Sequence, residues 1–376
     1  LRRVPVDMLR PGMKVGKALY SSRGELLLNA GVILTARNIE RLRRLKVPAL
    51  YIDDGFLPDV VVEDVIAEET RVQAMVQVRE LLEEQWEAKG PSCFRAGKAI
   101  LRVKRLTETV ESIIDQLLAN RALMVNLADV RAIDDYTFGH CVNVCVLSLM
   151  TGITLGYGRE GLLRLGLGAI LHDLGKVDIP REILHKPGRL TAEEFAVVKR
   201  HPEEGYRRIL RLPGVSAPSA QVVYQHHERY DGTGYPRGLQ GQEVHEFAYI
   251  CGVADVFDAL TADRVYRRAC PVHEAYEMVA GSGDSLFAFH VVRAFLENIA
   301  AYPVGTWVRL SSGETGVVVE NRRGFSLYPR VRVFFDPEGN PVGPYEVCLW
   351  EAGDVVVAGV TDEGSVRAGL GYSQLP

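Results

Sequence analysis

Residues 166–180 read GLGAILHDLGKVDIP, an unbroken apolar and glycine run that ends in His172-Asp173. A helix with no polar stripe has no solvent face, so this one must be buried. It then delivers an imidazole and a carboxylate into the interior, where an ionised group needs a partner. The pattern recurs. His140 follows DDYTFG and leads into CVNVCVLSLM, His201 follows FAVVKR, and Asp255 sits within YICGVADVFDAL. Residues 226–236, HHERYDGTGYP, place two histidines side by side, which serves no packing purpose, before a turn shaped by Asp-Gly and Gly-x-Pro. Buried helices that each present an ionisable side chain inward constrain the chain to a mainly α domain built around a metal site. Imidazole and carboxylate without thiolate suit iron, manganese, zinc or nickel better than a structural zinc. Asp173 is the natural bridge between two ions. A helix end with Asp173 simply paired to Lys176 remains the competing reading of that segment. His185, His245, His273 and His290 read as surface or supporting positions.

The rest of the chain sorts around this region. Residues 1–56 read as a small N-terminal α/β module with regulatory character, in which Thr35 caps a helix carrying Ile39, Leu42 and Leu45 on one face. Residues 57–128 read as a helical linker region. One helix is expected over 57–90, with Val65, Val72, Val76, Leu82 and Trp86 as its stripe. A second carries Val103, Leu106, Val110, Ile113 and Leu117. These stripes suit the chain's own core, with a homodimer as the alternative use. Residues 129–300 read as mainly helical and hold the candidate metal ligands. Residues 301–376 turn to strands (TWVRL, TGVVVE, RVRVFF) and form a small C-terminal β appendage, read as a barrel.

Composition excludes some classes. The 376 residues carry a net charge of −4, which argues against a nucleic-acid polymer as partner. None of the six cysteines forms a C-x-x-C pair, as expected for reduced thiols in a cytoplasmic protein. The longest apolar stretch, 142–157, is too short and too interrupted for a membrane span.

HDLGK and HHERYDGTGYP together resemble the two signatures of the HD-GYP phosphodiesterases, a branch of the HD metal-dependent phosphohydrolases. DYTFGH and VADVFDALTADRVYR extend the likeness over roughly residues 129–300. The resemblance implies a helical domain that hydrolyses cyclic di-GMP to pGpG, often on to GMP, with two divalent ions, iron or manganese. It implies one ion on His140, His172, Asp173 and Asp255, and a second on His201, His226 and His227, with Asp173 bridging. Lys176 would meet substrate phosphate as a catalytic charge. Gly234, Tyr235 and Pro236 would lie beside the nucleotide, and Arg264 and Arg267 would bind phosphate. Asp258 is expected at the substrate or a metal-bound water. Asp231 and Glu228 are candidate acceptors for ligand N–H groups, with an exposed turn position favoured for Glu228.

In this reading a bridging hydroxide attacks phosphorus, and no nucleophilic side chain is needed. Members with three ions draw a further carboxylate from one turn before the first histidine. That place holds Tyr136 here, with Asp134 and Asp135 adjacent. Two ions are therefore expected. The alternatives are hydrolysis of another nucleotide and a cyclic-dinucleotide sensor without turnover.

Overall fold

The computed structural model describes residues 2–21, 24–45, 47, 49–53, 57–60, 63–87, 96–125, 136–184, 186, 188–262 and 269–361. The N-terminal part begins with β1 (Arg2–Pro5), β2 (Lys14–Val15), β3 (Leu19–Tyr20) and β4 (Leu26–Leu28), followed by α1 (Ala36–Arg44) and β5 (Ala49–Asp53). β5 lies between β1 and β2, antiparallel to both, and β3 pairs with β4. Thr35 does cap α1, in a reciprocal box with Asn38. Ile39 and Leu42 are buried in a small core with Val4, Val15 and Ile52.

The helical body runs through α2 (Glu68–Glu87), α3 (Ala96–Ala119), α4 (Tyr136–Thr154), α5 (Arg159–Ile170), α6 (Arg181–Leu184), α7 (Ala192–Val198), α8 (His201–Ile209), α9 (Ala217–Gln225), α10 (Glu246–Thr261), α11 (Val272–Ala280) and α12 (Phe289–Leu296). A tight 3₁₀ turn, Leu174–Asp178, follows α5. α4 is the centre. It packs on α5, α10, α2 and α12, while α5 also meets α9 and α3. By length and composition Thr137–Thr154 could cross a membrane, but 78% of that window is buried inside the protein. Its apolar character answers to this packing.

The helix expected over 57–90 starts only at Glu68. Its buried positions are Arg71, Ala74, Met75, Val78, Leu81 and Leu82, which share only Leu82 with the proposed stripe; Val65 is buried ahead of the helix, and Val72 and Val76 are half-buried. The stripe of α3 is as expected, with Val103, Leu106, Val110, Ile113 and Leu117 all buried. Both helices share one continuous core with α4, α5 and α10, while Ile100 and Leu101 of α3 remain exposed. The breaker at residues 89–93 lies outside the described residues.

The C-terminal part comprises β6 (Trp307–Leu310), β7 (Thr315–Glu320), β8 (Arg330–Phe335), β9 (Pro341–Cys348), α13 (Leu349–Ala352) and β10 (Val357–Val360). The strand order is β10-β6-β7-β8-β9, all antiparallel. With β10 and β9 as its two edges, the sheet is open and not the barrel expected. Leu57 and Val60, expected within a helix, pack instead against Trp307, Val317 and Phe335 of this sheet. Asp59 beside them takes a two-pronged contact from Arg332, at 2.8 and 2.6 Å.

Candidate metal centre

The ends of α5 and α9 and the start of α8 each hand one imidazole to a common point. The ring Nδ1 atoms of His172, His201 and His226 lie 2.7, 2.8 and 3.0 Å from the carbonyls of Ala169, Val198 and Val223, each three residues back. A nitrogen held against a carbonyl carries the ring proton, so each Nε2 is left with a bare lone pair. Nε2 of His201 and Nε2 of His226 face each other at 3.2 Å. Nε2 of His172 is enclosed with no hydrogen-bond partner. Lone pairs cannot satisfy one another, and a divalent cation among them can. Burial keeps His201, His226 and His227 neutral and ready to bind: it pushes His201 down to about 3, His227 to about 4 and His226 well below the usual range.

The carboxylates complete the set. Asp173 is 1% exposed, with Oδ1 3.5 Å from His201 Nε2 and Oδ2 3.4 Å from His172 Nε2 and 3.8 Å from His140 Nε2. Burial alone would raise its pKa, but Lys176 and His172 outweigh it and hold the carboxyl well below the usual range. Lys176 Nζ sits 2.5 Å from Asp173 Oδ2. Asp255, on α10, places Oδ1 3.1 Å from His140 Nε2 and Oδ2 3.9 Å from His227 Nδ1. For His140, burial lowers the pKa, yet Asp255 and Asp258 together push it up to about 9. Among the described residues, three donor triads lie within 4.8 Å: His140, His172 and Asp255; His201, His226 and His227; and His172, Asp173 and His226. The third joins the other two. The donors thus fit a divalent metal.

Comparison with known proteins follows the same line. The family model described as HD domain matches residues 105–287. Cyclic di-GMP phosphodiesterase PA4108 of Pseudomonas aeruginosa is 33% identical over 96% of this chain and 91% of its own length. The chain belongs to the HD-GYP family. A cyclic di-GMP phosphodiesterase of Thermotoga maritima is 38% identical over 44% of this chain and 45% of that protein. A 3′3′-cGAMP-specific phosphodiesterase 1 of Vibrio cholerae is 35% identical over 48% and 42%. HD-domain phosphohydrolases depend on metal, in keeping with the donor set above.

In this HD-GYP chain the signature loop is built to steady His227. Tyr235 donates its N–H to the His227 carbonyl at 3.1 Å and stacks on its ring with centroids 4.7 Å apart. Gly234 permits that fold-back, because a Cβ there would lie 2.4 Å from Arg229 N and 2.5 Å from Glu228 Cα. Glu228, favoured as an exposed turn residue, is instead 1% exposed. Its two oxygens accept from the N–H groups of Arg237 and Leu239 at 2.7 and 3.0 Å, which pins the loop. Asp231 is exposed and closes a turn on Thr233. The Nδ1 groups of His172, His201 and His226 face backbone carbonyls and that of His140 faces Asp258, so neither acid takes them.

Asp258, expected at the substrate, lies behind His140 and is 1% exposed. Its Oδ2 meets His140 Nδ1 at 2.7 Å and its Oδ1 accepts from Asn143 at 2.9 Å. An aspartate one helical turn from Asp255 points to the same side, and here that side includes a ring to be aimed. Arg264, Arg267, Asp134, Asp135 and His185 lie outside the described residues. Sequence reasoning missed the glycines that let these elements touch. Gly175 and Gly205 meet backbone to backbone, and a Cβ on Gly252 would stand 2.7 Å from the His226 carbonyl. Their signal was faint: small residues inside otherwise apolar segments. Of the other histidines, His245 caps α10, His290 meets Glu246 at 2.7 Å and His273 stacks on Tyr302.

Proposed function

We propose that this chain hydrolyses cyclic di-GMP to pGpG, and onward to GMP, with two divalent ions, iron or manganese. His140, His172, Asp173 and Asp255 would hold one ion. His201, His226 and His227 would hold the other, with Asp173 shared. The observation that carries the reading is the set of neutral Nε2 lone pairs closed around one ionised, buried carboxylate. When bound, the ions supply an acidified water and charge to offset the phosphoryl oxygens.

The chain's own residues do the rest. His172, Asp173, His201 and His226 are 2% exposed or less, whereas His227, Lys176 and Asp255 reach solvent at 25%, 28% and 13% of their side chains. That side is the mouth. Lys176, whose ammonium charge Asp173 and Asp255 reinforce against burial, meets a phosphate there. Gly234, Tyr235 and Pro236 border the same opening, and Tyr235 offers an aromatic face. Arg264 and Arg267 add phosphate contacts in this reading, and residues 1–56 act as an input module. Hydrolysis breaks one P–O3′ bond, water supplies the oxygen that stays on phosphorus, and the 3′ oxygen leaves with a proton.

Incubation of Mn²⁺- or Fe²⁺-loaded protein with cyclic di-GMP under anaerobic conditions tests this, with 3′3′-cGAMP as a parallel substrate. Linear products from cyclic di-GMP are expected. Stoichiometric binding of intact dinucleotide would make the chain a sensor, and cleavage of 3′3′-cGAMP alone would reassign the substrate.

A further inference from the structure

We propose that Arg71, on α2 and ahead of the segment matched by the family model, is a positioning residue for the metal ligand His140. Arg71 is only 5% exposed, an unusual burial for a guanidinium. Its Nη1 donates to Asn143 Oδ1 at 2.9 Å. Asn143 Nδ2 donates to Asp258 Oδ1 at 2.9 Å, and Asp258 Oδ2 receives His140 Nδ1 at 2.7 Å. Arg71 also faces Glu68 at 4.0 Å, a looser contact.

The direction of this chain of bonds follows from chemistry. A guanidinium only donates and an ionised carboxylate only accepts. Asn143 stands between them with one group of each kind, so its amide has one orientation: oxygen to Arg71, nitrogen to Asp258. That orientation satisfies one oxygen of Asp258 and leaves the other for the proton on His140 Nδ1. The contact at Nδ1 in turn aims His140 Nε2, 3.1 Å from Asp255 Oδ1, at the metal position. Without Arg71 the amide of Asn143 loses the donor that fixes it. Its flipped form would turn a carbonyl oxygen onto the Asp258 carboxylate, two acceptors in contact. Arg71 therefore selects the amide orientation on which the aim of His140 depends, from a helix that contributes no ligand.

The inference rests on the proposed ligation by His140, and Mn²⁺ affinity tests it apart from turnover. In the full chain, Arg71→Met is expected to weaken Mn²⁺ binding about tenfold, the lower end for outer partners of a metal ligand. Asn143→Ala is expected to do at least as much. The double variant should bind no more weakly than Asn143→Ala alone, because both changes break one chain of bonds. Wild-type affinity in Arg71→Met, or losses that multiply in the double variant, would overturn the proposal. Should Arg71→Met fail to fold, Arg71→Ala, which likewise removes the donor, replaces it in the cycle. A several-fold loss that vanishes in the Asn143→Ala background supports the role, and wild-type affinity overturns it. A wild-type protein that binds Mn²⁺ yet leaves cyclic di-GMP intact would retire the proposed activity and leave the Arg71 result standing.

Discussion

Gly175 offers the sharpest test of how the centre is assembled. It sits between Asp173 and Lys176 in the 3₁₀ turn, pressed against the start of α8. A Cβ built on it would lie 1.9 Å from the His201 carbonyl oxygen and 2.4 Å from Gly205 N, both backbone atoms. Ordinary contact begins at 3.4 Å, so Gly175→Ala must part the turn from α8 by about 1.5 Å along that line. His201 Nε2 and Asp173 Oδ1, now 3.5 Å apart, ride on the two pieces that separate. Overpacking of this kind costs about 1–3 kcal/mol, or roughly 2–12 °C in Tm. The functional loss should be larger, since a displacement of about 1 Å at a reacting centre costs about 10²-fold. Mn²⁺ titration, turnover of cyclic di-GMP at 25 °C and thermal melting on the same preparation separate the two effects. Gly343→Ala is the control, because nothing lies within 4 Å of its added Cβ. Gly175→Ala protein with turnover within twofold of wild type would refute the argument that this contact sets the spacing of the ligands.

Other expectations follow from the same geometry. His172→Ala and Asp173→Ala should abolish hydrolysis and lower the bound metal, measured by elemental analysis; full metal content with normal turnover in Asp173→Ala would end the shared-carboxylate reading. Lys176→Ala should keep its metal and lose about 10²-fold in rate; an unchanged rate would leave Lys176 as the structural partner of Asp173. Anomalous diffraction should show two metal peaks and not three, because Tyr136, one turn before His140, offers a neutral phenol whose pKa near 10 would have to fall far for it to bind an ion. Mn²⁺ binding at pH 7 should release about one proton, detected by calorimetry in buffers of different ionisation enthalpy. His140, pushed up to about 9, is protonated at that pH and must lose a proton to bind, whereas His201 and His227, at about 3 and about 4, are already neutral. Apparent affinity should accordingly rise with pH up to about 9; release of three protons, or of none, would contradict this assignment.

The proposed ligand residues were legible because each stands within or beside an apolar helical run, where burial and charge conflict. The helix α3 was legible for a similar reason, since its stripe at threes and fours has only one face to bury. Asp258 was misread because distance along a helix says which side a residue faces and not what stands there. Glu228 looked exposed because its partners, Arg237 and Leu239, are backbone groups that carry no sequence signal. The start of α2 was misplaced because Leu57 and Val60 are as apolar as a helix stripe but answer to a sheet hundreds of residues away. Arg71 and Asn143 carried no motif at all, and their meaning lies in a contact between two helices.

The packing of Leu57 and Val60 on the C-terminal sheet has a consequence for how the protein is made. Asp59 and Arg332 are 273 positions apart, and the apolar partners Trp307, Val317 and Phe335 are comparably late. At about 5–20 residues per second, a ribosome needs roughly 15–55 s to produce the sheet after residues 57–60 have been synthesised. Throughout that interval these two apolar side chains have no native cover, whatever the state of the helices between. Closure of this seam is a late event in biosynthesis, and a nascent chain stalled before β6 would display Leu57 and Val60 to whatever chaperone or neighbour meets it first.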